Sequence, residues 1–288
     1  MSEFPAVAAG RLQEDLSLNL ERVGEIARRL CVDCADYHVV GVANRATQLH
    51  ASIDGDRTEY IELVARTLSG RASNFDRLDV LIAGALDTGL LATAARGAEA
   101  AGSDILARTR FKVIDRCGTP LELCRLYGER NGVAVTVGRV DVIAPTENLT
   151  ADLICVHSLF RFLPPPTHVD VLKRFASWLK PGGRIVFSIS IVRPDSPARL
   201  AGALGRIETM REAARAGRLK LSEPVIDFLA RLDRREPRGQ KAGDFGSVAA
   251  LEALFAASGL TAVETFEMRE GDAGRPIHRV LALLAPGD

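Results

Sequence analysis

A short turn in the first third of the chain has the residue types that hold a cofactor. Residues 80–89 read VLIAGALDTG, so an apolar run leads into Gly84, and a second glycine, Gly89, follows five positions later. Glycine lets the backbone approach a ligand closely, and the helix expected after the turn offers unpaired amide groups. Leu86 and Asp87 stand where such a turn commonly has glycine. We predict a turn that holds a phosphate or another polar part of a cofactor.

Three other polar residues each follow an apolar segment. Asp115 ends FKVID, Asp141 lies in GRVDVIAP, and His157 ends ADLICVH. The two aspartates offer paired acceptor oxygens to a ligand, although a solvated carboxylate at a strand end would look the same. His157 is compatible with a core histidine that bonds to the backbone, with a residue that lines a cofactor, and with a general base.

Strands and helices alternate after residue 76. Five apolar segments are typical of strands: LDVLIAG, FKVID, VAVTVGRV, ADLICVH and GRIVFSIS. Among the intervening helices, PLELCRLYGERNG is predicted to end at Gly132, and SVAALEALFAASG to begin with Ser247 as its N-cap. This alternation predicts a parallel sheet with helices on both faces. About nine residues separate the last two strands, LTAVETFEM and HRVLALLA, so we predict that they are antiparallel.

Two segments lie outside this alternation. Residues 1–75 are predicted to form a helical cap, with helices over 12–30 and 56–69 and turns between them. Residues 193–243 are predicted to form a helical insertion. Within it, residues 206–241 carry an excess of four positive charges, which is typical of a solvated helical face or of a lid that meets an anionic substrate.

The composition limits the class of protein. Lys plus Arg and Asp plus Glu number 37 each, so the basic excess of a nucleic-acid-binding protein is absent. We see neither a signal peptide nor an apolar stretch long enough to span a bilayer. Five cysteines, an odd number, are typical of reduced thiols. We therefore predict a cytoplasmic protein with no nucleic-acid and no membrane partner.

Two cysteines early in the chain have part of a metal-binding pattern. Cys31 and Cys34, with His38 close by, resemble part of a zinc-binding spacing. Because no second ligand pair follows, we predict no metal site. The remaining cysteines are predicted to pack as small apolar side chains: Cys117, Cys124 and Cys155.

Five parallel strands, an LKPGG sequence before the fifth, and a helix followed by an antiparallel strand pair occur together over residues 76–288. This order resembles a class I S-adenosylmethionine-dependent methyltransferase. The resemblance implies an α/β fold with a seven-stranded, doubly wound, Rossmann-like sheet in the order 3-2-1-4-5-7-6, with strand 7 antiparallel. It also implies that S-adenosylmethionine (S-adenosyl-L-methionine) binds across the carboxyl ends of strands 1 and 4.

The resemblance assigns a role to the first turn. Gly84 and Gly89 match the ends of the family's glycine-rich turn, and Asp87 would meet the amino group of the methionine part. The sequence departs from the family at two points, because Ile82 replaces an acidic residue and the central glycine is missing.

The resemblance also assigns roles to the later strand ends. Asp115 matches the acidic residue that accepts hydrogen bonds from both ribose hydroxyls, and Arg116 would then lie near the adenine. Asp141 matches an acidic residue placed against the adenine amino group. His157 lies where the family lines the methionine part and the reacting centre, which makes it the best candidate for a catalytic base.

The predicted function is methyl transfer from S-adenosylmethionine to a small or medium-sized acceptor, with the attacking atom undetermined. The cap and the insertion are expected to form the acceptor pocket. The oligomeric state stays open, and a homodimer is among the possibilities. Two alternatives remain. The departures in the first turn are compatible with a binding or regulatory module that has lost catalysis, and the spacing of Gly84 and Gly89 is compatible with a nicotinamide dehydrogenase.

Overall fold

A computed structural model describes most of the chain. The described residues are 16–31, 34–50, 56–191, 208, 211–212, 214–217, 245–270 and 277–287. Most of the predicted insertion, with its positive charges, therefore lies outside the described residues. Over the described ranges, every helix is too short or too polar to cross a bilayer.

The elements follow one another along the described chain as helices before the sheet and then as alternating strands and helices. The strands are β1 (Leu78–Ala83), β2 (Thr109–Asp115), β3 (Val135–Arg139), β4 (Ala151–His157), β5 (Leu179–Ile191), β6 (Leu260–Glu270) and β7 (Ile277–Pro286). The helices are α1 (Leu16–Leu30), α2 (Ala35–His50), α3 (Arg57–Ala72), α4 (Gly89–Ala101), α5 (Ser103–Arg108), α6 (Gly118–Asn131), α7 (His168–Trp178) and α8 (Val248–Ala257). Two short 3-10 helices, Leu159–Phe162 and Pro165–Thr167, follow β4.

The strands form a sheet in the order β3-β2-β1-β4-β5-β7-β6, which confirms the predicted α/β fold. Strands β1 to β5 are parallel, and β7 is antiparallel to both β5 and β6. Too few residues separate β6 from β7 for the crossover that parallel neighbours need. Ala83 pairs with Ile114 on one side and with Val156 on the other, so the ends of β1, β2 and β4 meet at one edge.

Helices cover both faces of this sheet. Helices α3, α4 and α6 contribute to the core on one face, and α7 and α8 to the core on the other. Helix α4 packs against α3 at Gly97, which is buried. A Cβ atom at Gly97 would lie 2.5 Å from Cβ of Val64 and 3.0 Å from the carbonyl oxygen of Ile61, both on α3. The α3–α4 contact therefore requires glycine at this position.

The Gly97→Ala variant is expected to lower the free energy of unfolding by about 1–3 kcal/mol, because the new methyl group overpacks the contact. Urea denaturation followed by circular dichroism measures this change. Gly70→Ala on α3 is the matched control, since a Cβ there meets nothing within 4 Å. Alanine also has the higher helix propensity, so the control should keep or gain stability. Wild-type stability in Gly97→Ala would show that the two helices are less tightly packed.

The helices before the sheet differ from the sequence expectation in one respect. The sequence has weak periodicity over residues 33–56 and predicts that this range includes turns, whereas helix α2 fills most of it. Among its described residues, this helix buries the polar side chain of His38 together with Val42 and Ala43, so it lacks the clean apolar stripe that identifies a helix in a sequence. Helix α3 packs on the sheet through Tyr60, whose hydroxyl donates to the carbonyl of Val186 in β5 at 2.9 Å. The boundary at residue 75 stays a prediction.

Candidate active site

Asp115 joins the end of β2 to the turn after β1. Its Oδ2 accepts a hydrogen bond from the N–H of Ala85 at 3.0 Å, and its Oδ1 accepts one from the N–H of Cys117 at 2.7 Å. These bonds fix the carboxylate beside Gly84, whose φ of +78° lies in the left-handed region. Burial raises the pKa of Asp115, and the backbone N–H groups oppose that shift. Each oxygen retains capacity to accept a second hydrogen bond.

Asp87 lies in the same turn and is buried. Its Oδ1 accepts a hydrogen bond from the N–H of Gly89 at 2.7 Å, at the start of α4. Its Oδ2 is also buried and has no hydrogen-bond partner among the described residues. Burial raises the pKa of Asp87, although the Gly89 N–H and the guanidinium groups of Arg45 and Arg57 oppose the shift. Because an unpaired buried oxygen is costly, the turn is suited to one further polar partner.

Arg116 and Asp141 lie at the same edge of the sheet, with exposed side chains. The Oδ1 atom of Asp141 accepts a hydrogen bond from the N–H of Ile143 at 2.9 Å. The preceding residue, Val140, donates its N–H to the carbonyl of Asp115 at 3.0 Å, which ties this segment to β2. The fold therefore brings both residues close to the end of β2, and their roles toward adenine stay predictions.

His157 belongs to a polar cluster that sequence reasoning missed. It ends β4, next to Asp56 before α3, Ser188 on β5 and Arg279 on β7. Nη1 of Arg279 donates to Nε2 of His157 at 2.9 Å, and Oδ1 of Asp56 lies 3.4 Å from the same nitrogen. The hydroxyl of Ser188 donates to Oδ2 of Asp56. The four residues, which we call the His157 cluster, lie at the carboxyl edge of β4 and β5.

The charges around His157 decide its protonation. Burial lowers the pKa of His157; the carboxylate of Asp56 opposes this shift, and the guanidinium groups of Arg279 and Arg45 add to it. Burial alone would raise the pKa of Asp56, but His157, Arg279 and the hydroxyl of Ser188 hold it well below its usual range. At neutral pH, His157 is therefore neutral and Asp56 is ionised.

The contact with Arg279 also selects a tautomer of His157. A guanidinium group only donates, so Nε2 of His157 is the acceptor and the ring proton is on Nδ1. A general base must instead have a free nitrogen facing its substrate. That role requires the other tautomer, in which Nε2 donates to Asp56 and Nδ1 accepts the proton.

The sequence carries only weak signals for the partners of His157. Asp56 precedes an amphipathic helix and is typical of a helix cap. Ser188 alternates with apolar residues in an ordinary strand pattern. Arg279 is the clearest signal, because a charged residue interrupts the apolar strand HRVLALLA. The pairing of β5 with β7 is what brings Arg279 to His157.

Apolar side chains from two segments cover part of this edge. The ring of Tyr37 on α2 meets the ring of Phe162 edge-on, with 6.0 Å between centroids. Leu159 packs against the turn so closely that a Cβ at Gly84 would lie 2.8 Å from its Cδ1. Helix α2 and the first 3-10 helix therefore meet above the carboxyl edge.

A cavity of about 600 Å³ lies beside α7. It is bounded by α7 and by the segment before β4, and its lining is mainly polar, including Glu147, Asp170 and Arg174. It contains none of the predicted site residues, so we do not include it in the candidate site.

Known proteins resemble this chain in structure. No protein-family model and no curated protein matches the sequence. An O-methyltransferase family protein from Burkholderia thailandensis aligns with a TM-score of 0.51 and 12% identity, over 93% of this chain and 68% of that chain. The mitomycin 7-O-methyltransferase MmcR aligns with a TM-score of 0.44 and 16% identity, over 77% of this chain and 53% of its own. The N-methyltransferase NodS from Bradyrhizobium japonicum WM9, solved with S-adenosyl-L-homocysteine, aligns with a TM-score of 0.41 and 17% identity. The alignment covers 80% of this chain and 88% of NodS.

These comparisons define the fold. The chain has the class I methyltransferase fold, with its seven-stranded sheet and antiparallel strand β7. This confirms the resemblance inferred from the order of elements. At such low identity, the residues of the site have to be judged by their own chemistry.

Proposed function

We propose that this protein transfers a methyl group from S-adenosylmethionine to a small or medium-sized acceptor. The fold supports this reaction type, and the observation that carries the proposal is the carboxylate of Asp115. It is held by two backbone N–H groups at the carboxyl end of β2, beside the turn after β1. Ligands of open α/β sheets bind at this edge.

The residues at the edge fit the proposed cofactor in two places. The carboxylate of Asp115 has acceptor capacity for two ribose hydroxyls. The Oδ2 atom of Asp87 lacks a partner within the described part of the chain, and an ammonium group such as that of methionine suits it. Gly84, in the same turn, has a left-handed backbone and no side chain, and Leu159 packs against it.

The other residues of the edge have roles in positioning and proton transfer. The chemistry that the cofactor supplies when bound is an electrophilic methyl group on a sulfonium ion. The chain has to hold the acceptor in line and exclude water, and the paired rings of Tyr37 and Phe162 cover the edge from outside. We assign His157 as the base that takes a proton from a hydroxyl or ammonium acceptor at Nδ1. This role requires the tautomer in which Nε2 donates to Asp56 and no longer accepts the hydrogen bond from Arg279. The acceptor pocket between cap and insertion stays a prediction.

Isothermal titration calorimetry tests the cofactor. We expect the protein to bind S-adenosylmethionine and S-adenosylhomocysteine, and not NAD. Failure of a folded sample to bind either adenosyl compound would reject the proposal, and binding of NAD instead would favour a dehydrogenase. Tight binding of both adenosyl compounds without methylation across a panel of hydroxyl, amine and carbon acceptors would favour a binding module.

Asp115→Ala is expected to weaken S-adenosylhomocysteine binding by about 1–3 kcal/mol, or roughly 5- to 150-fold in Kd, because charge-assisted hydrogen bonds are lost. The same titration measures this effect. Asp104→Ala is the matched control, since that side chain is 75% exposed on α5. Thermal melting of both variants separates loss of binding from loss of folding. An unchanged Kd in a folded Asp115→Ala variant would show that the ribose binds elsewhere.

A further inference from the structure

Four side chains that commonly bind metals meet where α1, α2 and the segment after β2 come together. Their ligand atoms all lie within 4.8 Å of one another. We call them the Cys3His cluster: Cys31, Cys34, His38 and Cys117. The sequence predicts no metal site because no second ligand pair follows the first three residues. The fold supplies the fourth ligand from 83 positions beyond Cys34.

Two distances within the Cys3His cluster match the edges of a tetrahedral zinc site. Sγ of Cys34 lies 3.6 Å from Sγ of Cys117 and 3.5 Å from Nε2 of His38. Bonds of about 2.3 Å from zinc to sulfur and about 2.0–2.1 Å to nitrogen give tetrahedral edges of about 3.8 Å between sulfurs and about 3.6 Å between sulfur and nitrogen. These ligands therefore need to move little to bind the ion.

The surroundings also suit a metal ion. His38 is 2% exposed, so the site is largely shielded from solvent at this ligand. The hydroxyl of Thr119 donates to Sγ of Cys31 at 3.0 Å, as donors around ligating sulfurs do. All three cysteines are free of disulfides.

We propose that the Cys3His cluster binds one structural zinc ion per chain. Thiolate and imidazole are the ligands that zinc prefers, and a closed set of four leaves no coordination position for a substrate. The ion replaces the thiol protons, which are released to solvent. It joins α1 and α2 to the start of α6. Because the N–H of Cys117 donates to Oδ1 of Asp115, the ion also steadies the carboxylate assigned to the ribose, a consequence that rests on the proposed function.

The first test uses the wild-type chain without any added cofactor. We expect the purified protein to contain one zinc ion per chain by elemental analysis, and a mercurial reagent to release it as three thiols react. Replacement by Co²⁺ should give the ligand-field bands of a tetrahedral site and intense thiolate-to-cobalt charge-transfer bands. Removing zinc with a chelator should lower the melting temperature, and restoring zinc should recover it.

The second test assigns the ligands. Cys34→Ser is expected to lose most of the zinc, whereas Cys124→Ser should retain it. Cys124 is a matched control, because its buried Sγ lies outside the Cys3His cluster and donates to the backbone carbonyl of Asp87. If Cys34→Ser does not fold, the cobalt spectrum of the wild-type chain still counts the thiolate ligands.

Three results would overturn the proposal. They are a folded wild-type chain that contains no zinc and binds none on reconstitution, a disulfide within the cluster in freshly purified protein, and full zinc content in Cys34→Ser. None of these results depends on binding of an adenosyl compound. Failure of the zinc site and failure of the proposed methyl transfer are therefore distinguishable.

Discussion

The His157→Asn variant is expected to lower kcat for methyl transfer by roughly 10²- to 10⁴-fold, the usual contribution of a positioned general base. The Kd for S-adenosylhomocysteine should change little, because asparagine keeps a polar group at the end of β4 without accepting a proton. Single-turnover rates and calorimetry, measured on the same preparation, separate the two quantities. The prediction applies to acceptors that lose a proton, such as hydroxyl and ammonium groups.

The pH dependence gives the sharper test of His157. Its pKa is lowered by burial, raised by Asp56, and lowered further by Arg279 and Arg45. A base works only when unprotonated, so kcat/KM should fall with decreasing pH through this pKa, below about 6.5. We call this fall the acidic limb of the pH profile of kcat/KM. Arg279→Gln removes a positive charge, raises the pKa of His157 and should move the acidic limb to higher pH. Asp56→Asn removes a negative charge and should move it to lower pH.

A second histidine on β7 provides the control for His157. His278→Asn removes a histidine from the neighbouring position on β7, where it pairs with Glu267 at 3.0 Å, and should leave kcat unchanged. If His157→Asn keeps the wild-type kcat, the histidine is a structural member of its cluster. If both charge variants shift the acidic limb in the same direction, that limb belongs to another group.

The Asp152→Ala variant is expected to lower the free energy of unfolding by about 3–5 kcal/mol, because it leaves the largely buried guanidinium of Arg71 without its carboxylate partner. Lys180 also loses one of its two carboxylates and keeps only Asp79. Asp152 is fully buried at the start of β4. Its Oδ1 accepts a bond from Arg71 at 2.6 Å, and its Oδ2 accepts bonds from Lys180 at 2.7 Å and from the N–H of Asp79 at 2.8 Å. Guanidinium chloride denaturation measures the loss.

Asp104→Ala serves as the exposed control for Asp152. Asp104 pairs with Arg108 at 3.2 Å on the surface, and such pairs contribute about 0–1 kcal/mol. An equal effect of the two substitutions would contradict the role of burial.

The stability that Asp152 contributes depends on pH. Burial opposes ionisation of Asp152, but the hydrogen bonds from Lys180 and Arg71 outweigh burial and lower the pKa of Asp152 from 3.8. Its contribution is therefore present above about pH 4 and is lost as the pH falls below that value.

Much of the fold could be predicted because its signals are local. Gly132 follows α6 with a φ of +65°, as the sequence predicts for a helix that ends at glycine. Ser247 accepts a hydrogen bond from the N–H of Ala250 at 3.2 Å, which confirms it as the N-cap of α8. Helix α2 was missed, because a helix that buries polar residues leaves no periodic apolar pattern.

The sequence by itself determined the alternation of strands and helices, the antiparallel final pair, and the carboxylates at the strand ends. These depend on residue type and on spacing over a few positions. The tertiary structure alone decided which distant side chains meet. Arg279 reaches His157 across 122 positions, and Cys117 reaches Cys34 across 83. Such contacts depend on the order of the strands and on how the helices pack against the sheet. The spacing of residues along the sequence does not predict either of these.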